Sequence, residues 1–174
     1  MKDWKSNKKS TFAMVGASNH TNHERAEYDY YATEPKAAEE LLNVEYFRGS
    51  IWENACGRGH LTKPLLQAGY EVISTDLIDR GYGKGGVDFF KCDKPLADNI
   101  TTNPPYSKAL EWVQHSLDLV DMGKKVALLL PIQFLESESR IELFKNTPPV
   151  RIHVAAKRFF VWNEWRFHSE RQAG

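Results

Sequence analysis

The stretch GSIWENACGRGHLTKPLLQAGYEVISTDL, residues 49–77, decides the fold. Residues 51–53 form a short apolar run that ends on Glu53, and Gly57 and Gly59 then break it. A helix from about Gly59 to Ala68 follows, Gly69 is its stop, and residues 71–76 make a second strand rich in β-branched side chains. Strand, helix and strand at this spacing form a βαβ unit, which requires a parallel pair.

The pattern continues in both directions. Upstream, TEPKAAEELLNVEYF (33–47) reads as a helix with Thr33 as N-cap, Pro35 in the first turn, and Ala38, Leu41, Leu42 and Glu45 at helical spacing. Residues 1–27 are polar and lack periodicity, which suits an arm preceding a single domain over 28–174. Downstream of the glycine-rich GYGKGG (81–86), a strand begins near Val87, and ADNITT (97–102) forms the next. KALEWVQHSLDLVDMG (108–123) is a helix ended by Gly123, and the unbroken run KKVALLLP (124–131) predicts a strand buried on both faces. A helix over 136–146 and a strand over 150–161 follow. Alternation of this kind predicts an α/β fold, a parallel sheet with helices on both faces. Ligands then bind beyond the carboxyl ends of the strands, where the strand order reverses. The loops after residues 51–53 and 97–102 lie at such ends.

With 174 residues, 41% apolar and 26% charged, the chain has room for one core and not for a second full domain. No apolar run approaches the ~18 residues of a membrane span, and the amino terminus lacks a signal-peptide core, so a cytoplasmic protein is expected. Cys56 and Cys92 have neither a CxxC partner nor nearby histidine ligands, which argues against a disulfide or a zinc site. Net charge is zero, but basic residues gather towards both ends of the chain, as phosphate contact or solvated termini would each require.

Gly57 and Gly59 let the backbone pass close to a ligand. A dinucleotide fingerprint needs a third glycine where Thr62 stands, which disfavours a nicotinamide cofactor. An acid at a strand tip suits a cationic amine better than a pyrophosphate. Asp76 closes the second strand, where a carboxylate can accept ribose hydroxyls, and Asp88 with Phe89 offers hydrogen bonding and stacking to a purine. Each carboxylate read singly could equally serve as a turn or helix cap. In NITTNPPYSKALEW (99–112), Pro104 and Pro105 stiffen the chain and remove two backbone donors, so the carbonyls beside them are open to other partners.

The succession YYATEP, ENACGRG, STDL, VDFF, TTNPPYS and KVALLLP, from about Tyr28 to Pro131, resembles the S-adenosyl-L-methionine-dependent amino-methyltransferases of DNA in the γ-type motif order, especially small phage and prophage adenine-N6 enzymes. The resemblance implies a Rossmann-like class I methyltransferase sheet. It implies that Glu53 meets the methionine ammonium, that Gly57 and Gly59 line the cofactor's backbone path, that Asp76 holds the ribose, and that Ala55 and Leu77 also belong to the cofactor-binding set. Asp88 and Phe89 would then take the cofactor adenine, and Tyr31, Thr33 and Pro35 its carboxylate, with Glu34 as an extra residue before the proline. Asn103, Pro104, Pro105 and Tyr106 would be catalytic. The Asn103 oxygen and the Pro104 carbonyl accept the two amine hydrogens of a base turned out of the duplex, and Tyr106 stacks on it. No metal is implied. A cytosine-C5 mechanism needs a Pro-Cys nucleophile, which the chain lacks. Methylation of N4-cytosine in DNA, N2-guanine in RNA or glutamine in protein remains open, as does an inactive cofactor-binding or DNA-binding remnant.

The family's sheet ordinarily ends in an antiparallel hairpin, whereas the segment after residue 149 offers one strand and then polar residues. This predicts an incomplete closing hairpin, self-association through the C-terminal sheet edge, and weak sequence selectivity without a separate recognition domain. Phe159, Phe160, Trp162, Trp165 and Phe167 read as packing for that edge or as base-stacking residues. His20, His23 and His60 read as solvent or loop residues, and His153 as a strand filler.

Overall fold

A computed structural model describes residues 32–156 together with residues 161–162. The expectations for residues 1–31, which include the arm and Tyr31, lie outside the described residues, as do those for Phe159, Phe160, Trp165 and Phe167 and for the side chain of Trp162. The elements in chain order are β1 (Ala32–Thr33), α1 (Lys36–Val44), β2 (Ile51–Glu53), α2 (Thr62–Gln67), β3 (Val72–Ser74), β4 (Asn99–Thr102), α3 (Ala109–Leu119), β5 (Val126–Leu128), α4 (Ile141–Asn146) and β6 (Val161–Trp162).

The fold is α/β. Four parallel strands form one sheet in the order β3-β2-β4-β5, while β1 and β6 pair antiparallel in a separate ribbon. From β2 the chain moves outward to β3, then crosses back to β4 on the other side. The order therefore reverses between β2 and β4, the two strands buried along their whole length. Alternation along β2 explains how the sheet is covered. Ile51 packs with Phe47 and Leu65 on one face, and Trp52 packs with Phe89, Ile100 and Trp112 on the other. Phe89 stacks on Trp112 at 4.6 Å between ring centres, a geometry worth about 1 kcal/mol beyond the area it buries.

Several elements differ from the sequence expectation. The helix of the βαβ unit starts at Thr62 rather than near Gly59, because Gly57 and Gly59 adopt φ of 53° and 76° and spend those residues on turns. Thr33 belongs to β1 and caps no helix; α1 begins after Pro35 without a side-chain cap. No strand forms near Val87, since Asp88 accepts the Phe90 N–H at 3.1 Å and winds Phe89–Lys91 into a 3-10 turn. Val126–Leu128 is only half-buried, because β5 is the edge of the parallel sheet. The strand expected from Val150 is absent over residues 150–156. There Arg151 and His153 bind the Glu45 side chain, and Val150, Ile152 and Val154 stand exposed. His153 is thus an exposed partner of a carboxylate, not a strand filler.

Among the described residues no helix is long and apolar enough to cross a membrane, and no group of three or more His, Cys, Asp or Glu could hold a metal ion.

Candidate functional site

The carboxyl ends of β2, β3 and β4 open onto a cavity of about 580 Å³, at the point where the strand order reverses. Glu53 and the turn after it contribute one wall, Asp76, Leu77 and the loop to Phe90 a second, and Asn103, Pro105, Ser107, Lys108 and Trp112 a third. Thr33 of β1 closes the remaining side.

Glu53 is 2% exposed. It accepts a hydrogen bond from the Thr62 hydroxyl, whose oxygen is in turn 2.8 Å from the Ser74 hydroxyl. Burial pushes its carboxyl up to about 8, against the opposing hydrogen bonds from Thr62, and the nearby Asp76 carboxylate pushes the same way. No cation among the described residues offsets it. The Cys56 thiol is pushed up to about 12 by burial and by the Glu53 and Asp76 carboxylates, so it stays protonated and is no nucleophile.

Asp76 joins the strand ends. Its Oδ2 accepts the Gly57 N–H at 2.8 Å and its Oδ1 the Ile78 N–H at 2.9 Å. A carboxylate holding two backbone donors keeps further lone pairs for ligand hydroxyls. Gly57 therefore serves the site through φ and through this bond. Gly59 does not face the cavity; a Cβ there would lie 2.2 Å from the Tyr82 ring, so its lack of a side chain accommodates Tyr82.

Asn103 leads out of β4. Its Nδ2 donates to the Thr33 hydroxyl at 2.8 Å, while its Oδ1 is shut off from solvent and has no hydrogen-bond partner. A buried acceptor left in this state costs about 1–3 kcal/mol, which a ligand donor would recover. Pro105 lines the cavity, whereas Pro104 is packed inside the protein. Tyr106 starts the 3-10 turn Tyr106–Lys108 and is half-buried outside the cavity lining.

Ten of the residues singled out from the sequence line this one cavity: Thr33, Glu53, Ala55, Gly57, Asp76, Leu77, Asp88, Phe89, Asn103 and Pro105. Pro35 lies at the start of α1, away from it. Phe89 lines the floor but is 2% exposed and held between Trp52, Trp112 and His115; the exposed ring on that wall is Phe90. Asp88 combines its wall position with capping of the 3-10 turn, so the cap reading and the site reading describe one side chain.

Four contributors escaped sequence reasoning. Asn54 accepts the Trp112 indole N–H at 3.0 Å through Oδ1, and its buried Nδ2 has no partner. Because an indole nitrogen only donates, this bond also settles which way the amide faces. Trp112 could have been found from the buried positions 109, 112 and 116 on one face of α3. His60, read as a loop residue, lines the cavity, and burial with Lys63 and Arg58 lowers its pKa. Arg80 lies in the loop after β3 and gave no signal.

Carboxylates, an unpaired amide oxygen and flat apolar surfaces thus converge on one opening. That combination suits a ligand carrying a cationic group, hydroxyls and a ring. Comparisons with protein-family models, with curated proteins and with solved structures find no match to the chain.

Proposed function

We infer that the chain is an S-adenosyl-L-methionine-dependent methyltransferase acting on the exocyclic N6 amine of an adenine in DNA. The carrying observation is the buried, unpartnered Oδ1 of Asn103, in the cavity that also holds the uncompensated Glu53. The residues fit the cofactor: Glu53 would hold its ammonium, Asp76 its ribose, and Asp88, Ala55, Leu77 and the neighbouring apolar wall its adenine. When bound, the cofactor supplies an electrophilic methyl group.

Everything else falls to the chain. The lone pair of an exocyclic amine is delocalised into its ring, which makes it a weak nucleophile. Asn103 Oδ1 accepts one amine hydrogen and draws the nitrogen towards a tetrahedral lone pair, whereas Pro104, packed inside the protein and outside the cavity lining, does not offer the second acceptor that the resemblance implies. This acceptor sits on a segment stiffened by Pro104 and Pro105, and the Thr33 bond keeps the amide nitrogen turned aside. Preorganised acceptors of this kind need no rearrangement during reaction. Arg58, Lys84 and Lys108 stand exposed on the loops that follow β2, β3 and β4, positions that suit a polyanion entering from this end.

Incubating the protein with methyl-labelled cofactor and DNA, RNA or protein fractions, then digesting to nucleosides and amino acids, tests the reading. Label on N6-methyladenine of DNA is expected. Label on cytosine, on guanine of RNA or on glutamine would move the substrate while keeping the acceptor chemistry. Cofactor binding without transfer to any fraction would make the chain a binding remnant.

A further inference from the structure

We propose that Ser74 and Thr62 form a hydroxyl relay that positions the Glu53 carboxyl for an ammonium ligand, and that engagement of the ammonium ionises Glu53 and releases one proton to solvent. The proposal rests on the reading of the cavity as a cofactor site and adds to it how this chain prepares the acidic end.

Thr62 occupies the position where a dinucleotide fingerprint has its third glycine. Here it is 1% exposed, and its hydroxyl lies between the Glu53 carboxyl and the Ser74 hydroxyl, 2.8 Å from the latter. A hydroxyl has one hydrogen. Thr62 gives its own to Glu53, so the Thr62–Ser74 bond must be supplied by the Ser74 hydrogen. The relay therefore runs from β3 through the first residue of α2 to the tip of β2, and it orients one carboxyl oxygen across three elements.

The other groups facing the cavity do not compensate the charge of Glu53; Arg80, the cation in the loop after β3, is not among the groups that shift it. Asp76 after β3 is acidic, Cys56 in the turn after β2 is a protonated thiol, and Tyr82 from the following loop meets Thr62 and is itself raised by burial. His60, in the turn before α2, has its pKa lowered by burial and by Lys63 and Arg58. A carboxyl in such surroundings is neutral at neutral pH, which agrees with its being pushed up to about 8. Meeting an ammonium reverses the preference. The carboxylic acid and the ammonium become a carboxylate–ammonium pair, and the acid's proton passes to buffer; charge and atoms balance.

Calorimetry tests this on the full chain. S-adenosylhomocysteine is titrated at about pH 7, one unit below the folded-state value, in phosphate and in Tris, whose ionisation heats differ. The expected difference in heat corresponds to about one proton released per ligand. Affinity should rise up to tenfold per pH unit below that value and level off above it. 5′-Methylthioadenosine, which lacks the ammonium, should bind with the same heat in both buffers, and Glu53→Gln should bind S-adenosylhomocysteine without proton release. Thr62→Val should move the midpoint of the affinity–pH profile upward, and Thr62→Ser should restore it. Equal heats in the two buffers from a sample that binds S-adenosylhomocysteine would overturn the proposal and leave the cofactor site standing. Failure of a folded sample to bind either nucleoside would overturn both. An unchanged pH profile in Thr62→Val would remove the relay.

Discussion

Asparagines flank the two ends of β4, and the fold treats them differently. Asn99 at the amino end is 1% exposed; its Nδ2 donates to the Arg48 and Ser50 carbonyls, both at 3.0 Å, and its Oδ1 accepts the Lys125 N–H at 2.9 Å. Asn103 beyond the carboxyl end has one bond, to Thr33, and an acceptor without a partner. The acids follow the same division. At the amino end Asp98 holds Lys124 at 2.6 Å and both the N–H and the hydroxyl of Ser50, and these bonds bring its carboxyl down to about 2. Glu45, on the same side, binds Arg151, Lys125 and His153, which hold it well below the usual carboxylate range. At the opposite end no cation among the described residues offsets Glu53. One end of the sheet ties its polar groups to each other; at the other end, among the described residues, Glu53 has no cation and Asn103 Oδ1 no hydrogen-bond partner.

Substitutions should separate the two ends. The largest effect is expected from Asn103→Ala, which removes a preorganised acceptor and should lower turnover by about 10²–10³-fold, with cofactor affinity and melting temperature nearly unchanged. Parallel losses of turnover and affinity, measured by steady-state kinetics and calorimetry, would show that Asn103 serves the fold instead.

Next comes the pH dependence of stability. The folded-state value of Glu53 lies above its ordinary one, so between the two the native state binds more protons than the unfolded chain. Stability is then fully present below the usual glutamate range and falls as pH rises towards about 8, by at most about 1.4 kcal/mol per pH unit. His60 acts in the opposite sense, because its pKa is lowered. Denaturant titrations of the ligand-free protein at several pH values, compared with Glu53→Gln, isolate the Glu53 contribution. A slope unchanged between parent and variant would refute it.

Asn99→Ala should lower stability by about 2–3 kcal/mol, since it strands buried partners in the approaches to β2 and β5, while activity per folded molecule stays the same. The smallest effect is expected from Glu45→Gln, a drop of a few degrees in melting temperature. The Glu45 pKa is depressed, so its contribution is present above the ordinary carboxylate value and is lost as pH falls below it. The difference between variant and parent should vanish in acid.

The sequence by itself determined the parallel βαβ arrangement and the loops that carry the site, because strand and helix periods and glycine stops are local properties of the chain. Glu53, Asp76 and Asn103 were legible for the same reason: each stands at or just past the end of a recognisable strand, and in an open parallel sheet such ends share one opening. Element edges failed where a single contact overrode local preference, as when Asp88 capped a 3-10 turn in place of a strand. Only the tertiary structure decided how the site is wired. Thr33 reaches Asn103 across 70 residues and Trp112 reaches Asn54 across 58, and no spacing rule spans such separations. Gly59, which looked like part of a ligand path, gives room to Tyr82, and Phe89, which looked like a stacking surface, became core while Phe90 took the exposed wall. The physical reason is common to all of these. Periodicity says which side of an element faces inward, but whether a polar atom is left unpaired depends on what the rest of the chain brings to meet it.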